Sequence, residues 1–410
     1  MVKPNHMKKP ELLAPAGDLA KLIAAVEFGA DAVYLGGKGF SMRAAGSNFT
    51  IEELKIGVDI AHRKQVKVYF TLNSLPDNAE IKQLPHFIQD VAACGVDAFI
   101  VADLGVLAII KQYAPNIDIH ISTQMGIMNY ATANALYALG ARRVVLAREL
   151  TLSEIEEISQ NVPDDLELEA FVHGAMCVSV SGRCLLSSYM TGRDSNRGKC
   201  AQPCRWNYSL MEEKRPNEYF PVYEDEGGTF ILNSKDLCMI DYIPELVKAG
   251  IHSFKIEGRV KTEIYVATIT NAYKKAIDAY IADPEHYTLS EELRAEVFKV
   301  SHRIYSTGFF FGREKAEQIY ESSSYVRDFD IVAIVDEVKD GVAVCRLKNP
   351  VKAGDEVEIL SPDRSIRMTI QGMTDCDDQL ITLANHPEML VKISIPQAIR
   401  TPAFIRKKVE

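Results

Sequence analysis

Eight short apolar runs, separated by helix-forming stretches, divide the first 260 residues of this 410-residue chain. They are Glu11–Ala14, Ala32–Leu35, Lys67–Leu72, Ala98–Ala102, Ile119–Ser122, Arg143–Ala147, Leu168–Val172 and Ser253–Ile256. The first seven begin 21 to 35 residues apart. Runs of this kind suit strands buried on both faces of a parallel sheet. Asp18 stands where an N-cap belongs, ahead of LAKLIAAVEF, and Gly29 where that helix stops. Thr50 with Glu53 and Thr151 with Glu154 have capping-box spacing. Alternating β and α elements imply an α/β fold with a parallel sheet. Eight strands favour a closed (β/α)8, TIM-like barrel. The alternative is an open doubly wound sheet, but no G-x-G-x-x-G follows the first strand.

Two segments break the repeat. One is a long insertion at about 175–250, between strands seven and eight. The other follows strand eight: helical stretches at about 262–282 and 289–305, then the Gly-aromatic run TGFFFG at 307–312. From about residue 326 onward, short β-like runs such as IVAIVDEV and GVAVCRL alternate with Asp, Gly and Pro. They read as a small all-β, barrel-like domain over 326–410. Residues 1–312 then form the barrel with its insertion and a helical extension over about 262–306. No low-complexity linker separates the two parts, so close packing is expected.

A barrel of this kind works at the C-terminal ends of its strands. The polar residues expected there include Asp18, Asn73, Asp103, Gln124, Arg148, Glu149, His173, Glu257 and Arg259. Strand ends turn polar wherever they meet water, so each alone says little. The pairs Arg148/Glu149 and Glu257/Arg259 say more, because an arginine there can clamp a carboxylate bidentately. A structural salt bridge around the rim would give the same pattern. Arg148, His173, Glu257 and Arg259 are the candidate catalytic residues.

Five of the eight cysteines, Cys177, Cys184, Cys200, Cys204 and Cys238, fall within 62 residues of the insertion. In a reducing compartment such crowding points to metal rather than disulfides. Four thiolates suit an iron–sulfur cluster or a structural zinc, and only Cys200/Cys204 has the spacing of a zinc knuckle. Buried thiols would leave the same trace. Cys94, Cys345 and Cys376 stand apart. The segment 183–205 carries Arg183, Arg193, Arg197, Lys199 and Arg205 against Asp194. Those charges could meet phosphates or offset a thiolate-bound cluster. The whole chain has a formal net charge of −10, which argues against binding nucleic acid over its entire surface.

The stretch ELLAPAGDLAKLIAAVEFGADAVYLGG, the segment FVHGAMCVSVSGRCLLSSYMTGRDSNRGKCAQPCRW and KIEGR at 255–259 resemble the collagenase-like peptidase family, family thirty-two of the unclassified peptidases. The likeness runs over the whole barrel and is closest to the tRNA-modifying branch. It implies a 4Fe–4S cluster and oxygen-independent hydroxylation of RNA, with 5-hydroxyuridine formed at the tRNA wobble position and prephenate as co-substrate. It implies Cys177, Cys184, Cys200 and Cys238 as ligands, with Cys204 as a competing fifth.

Peptidase activity, as the family label suggests, is a second reading. The chain lacks H-E-x-x-H and G-x-S-x-G, which leaves Cys177 with His173 as a nucleophile–base pair. A thiolate committed to metal could not serve in it. A third reading is a non-catalytic partner of a paralogous subunit. No apolar run approaches the ~18 to 20 residues needed to span a bilayer, and MVKPNHMKKP holds no signal-peptide core. A cytoplasmic protein is expected.

Overall fold

The computed structural model describes residues 8–38, 40, 48–177, 179, 184, 186–193, 199–203, 210–211, 219–220, 224–225, 228–229, 233–312, 318–319, 325–396 and 399–409. Cys204, Arg183, Asp194, Arg197 and Arg205 lie outside the described residues.

Seven parallel strands follow one another around the sheet: β1 (Glu11–Pro15), β2 (Ala32–Leu35), β3 (Lys67–Leu72), β4 (Ala98–Val101), β5 (Asp118–Ile121), β6 (Arg143–Val145) and β7 (Glu167–Ala175). The eighth barrel strand, Ser253–Ile256, pairs in parallel with both β7 and β1 and so closes the ring. This is the expected (β/α)8 barrel. Its helices begin where the side chains dictate. Asp18 accepts from the Lys21 N–H at the start of Leu19–Glu27, and both capping boxes form at Thr50 and Thr151. The helix Glu263–Ala282 follows the eighth strand.

β7 is nine residues long and outruns the barrel. Its last residues pair antiparallel with the strand Asp236–Cys238, which in turn pairs in parallel with Tyr305–Ser306. A short ribbon therefore stands on one side of the barrel mouth. Gly174, at φ +106°, lets β7 leave the ring: a Cβ there would come within 2.5 Å of the Glu257 carbonyl oxygen.

The C-terminal part is an antiparallel sheet of eight strands around an apolar core that includes Val335, Cys345, Ile359, Val391 and Ile405. Phe404, Ile334 and Leu360 pack from it against Phe28, Ala24, Ile264 and Ala267 of the barrel. Beside this contact the fully buried Arg406 guanidinium meets Glu296 at 2.6 Å and Glu358 at 2.9 Å. Lys299 completes the group, 2.8 Å from Glu358 and 2.9 Å from Glu296. Among the described residues, no helix is long and apolar enough to cross a membrane.

Candidate active site at the barrel mouth

The barrel interior is built on charge. Arg143 Nη1 lies 2.6 Å from Glu11 Oε1 and 3.0 Å from Glu169 Oε2, and its Nη2 lies 2.6 Å from Glu167 Oε2. Lys255 Nζ donates to Glu169 Oε1 at 2.8 Å and Ser253 to Glu169 Oε2 at 3.0 Å. The Tyr69 hydroxyl donates to Glu11 at 2.7 Å. Burial opposes the charge on Glu169, but Lys255 and Arg143 outweigh it and hold the carboxyl below its usual range. His120, edge-on to Tyr69 at 4.6 Å, is held neutral by burial and by the charges of Arg143 and Lys255. None of these residues stood among the sequence candidates. Their trace in the sequence was slight: a charge at the start of one apolar strand, at Arg143, and within two others, at Glu169 and Lys255.

Above this floor lie the rings of Tyr34 and Phe171. Lys255 Nζ sits 4.6 Å from the first and 5.4 Å from the second. Arg148 also covers Phe171, with its Cζ 3.9 Å from the ring centre. Its Nη1 donates to the Ala175 carbonyl at 3.0 Å, which ties the guanidinium to the end of β7. Its Nε is buried and has no hydrogen-bond partner among the described residues. The same holds for Asn73 Oδ1, at the end of β3. Arg259 is buried and donates to Thr71 Oγ1 at 3.1 Å. Gly17 passes so close beneath it that a Cβ would come within 2.0 Å of the Arg259 carbonyl oxygen. The Tyr34 hydroxyl donates to the Ile256 carbonyl at 2.9 Å, with Glu257 Oε2 at 3.2 Å. Arg148, Glu257 and Arg259 therefore all stand at strand ends around the mouth.

Other rim candidates serve the frame. Asp18 and Asp103 cap helices, accepting from the Lys21 and Val106 N–H groups. Gln124 accepts from Ser122 at 3.2 Å.

His173 sits in a cage of tyrosines. Its Nδ1 lies 3.4 Å from the Tyr273 hydroxyl and its Nε2 3.3 Å from that of Tyr305. Those hydroxyls donate onward to the Val172 and Val297 carbonyls. Burial, with the nearby His302 and Lys261 charges, pushes the imidazole down to about 3, so the ring is neutral at neutral pH. Cys177 is exposed and is not among its partners, so the two residues do not form a nucleophile–base pair here. Tyr265, Tyr273 and Tyr305 escaped the sequence reading; the spacing of eight between the first two, on one helix, was the available sign.

The four candidate ligand cysteines are placed by different segments. Cys238 ends the ribbon strand directly across from His173, and Cys177 lies two residues past the end of β7. Cys184 and Cys200 flank the helix Leu186–Thr191. Three of them share a local geometry. The Leu186 N–H donates to Cys184 Sγ at 3.4 Å and the Gln202 N–H to Cys200 Sγ at 3.3 Å. The Ile240 N–H does the same for Cys238, favouring its thiolate. Main-chain N–H groups aimed at sulfur from two residues on stabilise a thiolate ligand and tune a cluster bound to it. Burial nonetheless pushes the Cys238 thiol up to about 12, so binding metal there must expel a proton. Among the described residues, no three His, Cys, Asp or Glu side chains are grouped to hold a single metal ion. A four-iron cluster asks for something else, one thiolate per iron. The donor set, four thiols with N–H groups on three of them, fits that chemistry.

The model of the family described as Peptidase family U32 matches residues 17–320, and that of the Peptidase family U32 C-terminal domain matches residues 327–406. The chain is 40% identical to "tRNA hydroxylation protein P1" of Bacillus subtilis, over 98% of this chain and 95% of that protein. It is 36% identical to "tRNA hydroxylation protein P" of Escherichia coli, over 95% of each. It is also 36% identical to the "23S rRNA 5-hydroxycytidine C2501 synthase" of Escherichia coli, over 85% of this chain but 52% of that protein.

Proposed function

The chain belongs to peptidase family U32, and from that premise we propose that it is a cytoplasmic iron–sulfur RNA hydroxylase. Its reaction in this reading forms 5-hydroxyuridine at the tRNA wobble position, with prephenate as co-substrate. The observation that carries the choice of tRNA is length. The likeness to two tRNA hydroxylation proteins extends over 95% of each of them, whereas the rRNA synthase is matched over 52%.

Cys177, Cys184, Cys200 and Cys238 would hold the cluster. A 4Fe–4S cluster bound there would supply a one-electron redox centre. The remaining roles fall to the rim. Arg148, braced on Phe171 and Ala175 with an N–H to spare, and Arg259, braced on Thr71, would orient a dicarboxylate. Asn73 Oδ1 would accept from a hydroxyl or ring N–H of the bound molecule. Glu257 would hold or move a proton beside the Tyr34 hydroxyl. His173, neutral and held by two tyrosines, would keep the ribbon strand in register behind Cys238.

The test has two parts. Anaerobically purified protein should show the broad visible absorption of an iron–sulfur chromophore, with about four irons per chain. Nucleosides from tRNA of a strain lacking this protein should lack 5-hydroxyuridine by mass spectrometry, and the wild-type chain should restore it in cells that make prephenate. A colourless zinc protein that cleaves peptides would refute the proposal. Restoration only together with a paralogous chain would make this protein one subunit of the hydroxylase.

A further inference from the structure

We propose that Tyr325, with Lys261 beside it, is the platform on which an unpaired base of the substrate RNA stacks at the barrel mouth. The inference rests on the RNA-modifying reading above and names a contact that holds the RNA.

Tyr325 is a large aromatic residue with 40% of its surface exposed. Lys261 Nζ lies 4.6 Å from its ring centre. Arg303 approaches from the buried side, with its Cζ 5.4 Å from the ring centre and its Nη2 donating to the Tyr325 hydroxyl at 3.5 Å. The backbone fixes this position. His302 and Val326 exchange both main-chain hydrogen bonds, at 3.2 and 2.8 Å, and so hold Tyr325 next to Arg303. Val260 and Ile304, adjacent in sequence to the two cations, are 60% and 46% exposed.

The location matters as much as the composition. Lys261 comes five residues after the last residue of the eighth barrel strand, just beyond Glu257 and Arg259. It also lies 5.3 Å from the ring of Tyr265, whose ring is 6.1 Å from that of His173, the residue across from Cys238. The patch thus adjoins both the mouth and the ribbon that carries Cys238.

Unpaired RNA is bound by stacking bases on aromatic faces while nearby cations meet the backbone phosphates. A chain with a net charge of −10 repels RNA as a whole, so contact needs a local cationic, aromatic surface of this kind. A base in a stacked stem offers no open face to Tyr325, so the platform selects loop nucleotides over duplex.

The experiment compares full-length wild type, Tyr325→Ala, Tyr325→Trp and Lys261→Ala. Binding of a fluorescein-labelled anticodon stem–loop RNA and of a fully paired duplex is followed by anisotropy across a salt series. Hydroxylated nucleosides are measured in cells carrying each variant. The expected result is roughly ten-fold or greater weakening of stem–loop binding for Tyr325→Ala, retention for Tyr325→Trp, and little duplex binding throughout. Lys261→Ala should lower the slope of log affinity against log salt by about 0.7. That slope decides the matter should Tyr325→Ala reduce the unfolding temperature. Stem–loop affinity and salt slope unchanged in all variants, with hydroxylation intact, would overturn the platform and leave the RNA reading standing. Wild type that neither binds RNA nor supports hydroxylation would overturn both. A wild-type dimer that Tyr325→Ala dissociates without altering RNA affinity would make the patch a protein contact and also overturn the proposal.

Discussion

Cys238 and His173 face each other across an antiparallel pairing that lies outside the barrel ring, between the overhang of β7 and the strand Asp236–Cys238. The barrel and the cysteine-bearing insertion are joined by that pairing, so a candidate ligand is positioned by the same backbone that shapes the mouth.

Replacing Cys184 or Cys238 by alanine should abolish the chromophore and reduce iron and sulfide to a small fraction of the wild-type content, with loss of tRNA hydroxylation. Cys94→Ala and Cys345→Ala should keep full loading, because those thiols lie away from the insertion, Cys345 within the core of the C-terminal sheet. Full iron content in Cys184→Ala would remove that residue from the ligand set.

Arg148→Met should raise the KM for a dicarboxylate co-substrate by roughly ten-fold or more, the cost of a lost charge-assisted hydrogen bond. The unfolding temperature should change little, since Phe171 and the Ala175 carbonyl hold a half-buried side chain whose aliphatic part methionine reproduces. Single-turnover assays at varied co-substrate separate this effect from one on kcat. An unchanged KM would assign Arg148 to the frame alone.

The barrel floor should be sensitive to acid. Glu169 has a folded-state carboxyl below its unfolded value of about 4.3. The unfolded chain therefore takes up the proton first on acidification. The contribution is complete above that pH and is lost as pH falls through the folded value. Arg143→Met leaves Glu11 and Glu169 without their shared partner and should cost about 3 to 5 kcal/mol at pH 7. Urea unfolding of both proteins at neutral pH and near pH 4 reads the difference, which should narrow in acid.

Arg406→Met should loosen the contact between the barrel and the C-terminal sheet. Glu296 and Glu358 would then share Lys299 alone. A loss of about 3 kcal/mol or more is expected, and calorimetry should resolve two unfolding transitions where the wild type shows one. A single transition at the wild-type temperature would mean that the apolar contact around Phe28 and Phe404 holds the halves together by itself.

The ring itself was legible in the residues. All eight runs became barrel strands, and Asp18, Thr50 and Thr151 capped the expected helices, because local patterns of burial and capping are written in adjacent residues. The interior was not. Arg143 reads as the polar start of a strand until Glu11, 132 residues away, is seen beside it. The extra length of β7 was equally hidden. His173 and Gly174 look like a strand ending in a loop, and only pairing with Cys238 and Leu237, 65 and 63 residues on, turns them into ribbon. The tyrosines around His173 come from two separate elements, so the spacing of Tyr265 and Tyr273 on one helix does not by itself announce the cage.

A ring of eight similar strands has no front or back of its own. The overhang of β7 gives this one a compass: Cys238, His173 and the Tyr325 surface lie on its ribbon side, while Asn73 and Gln124 follow strands elsewhere on the ring. Whatever spans the opening is then oriented before any chemistry begins.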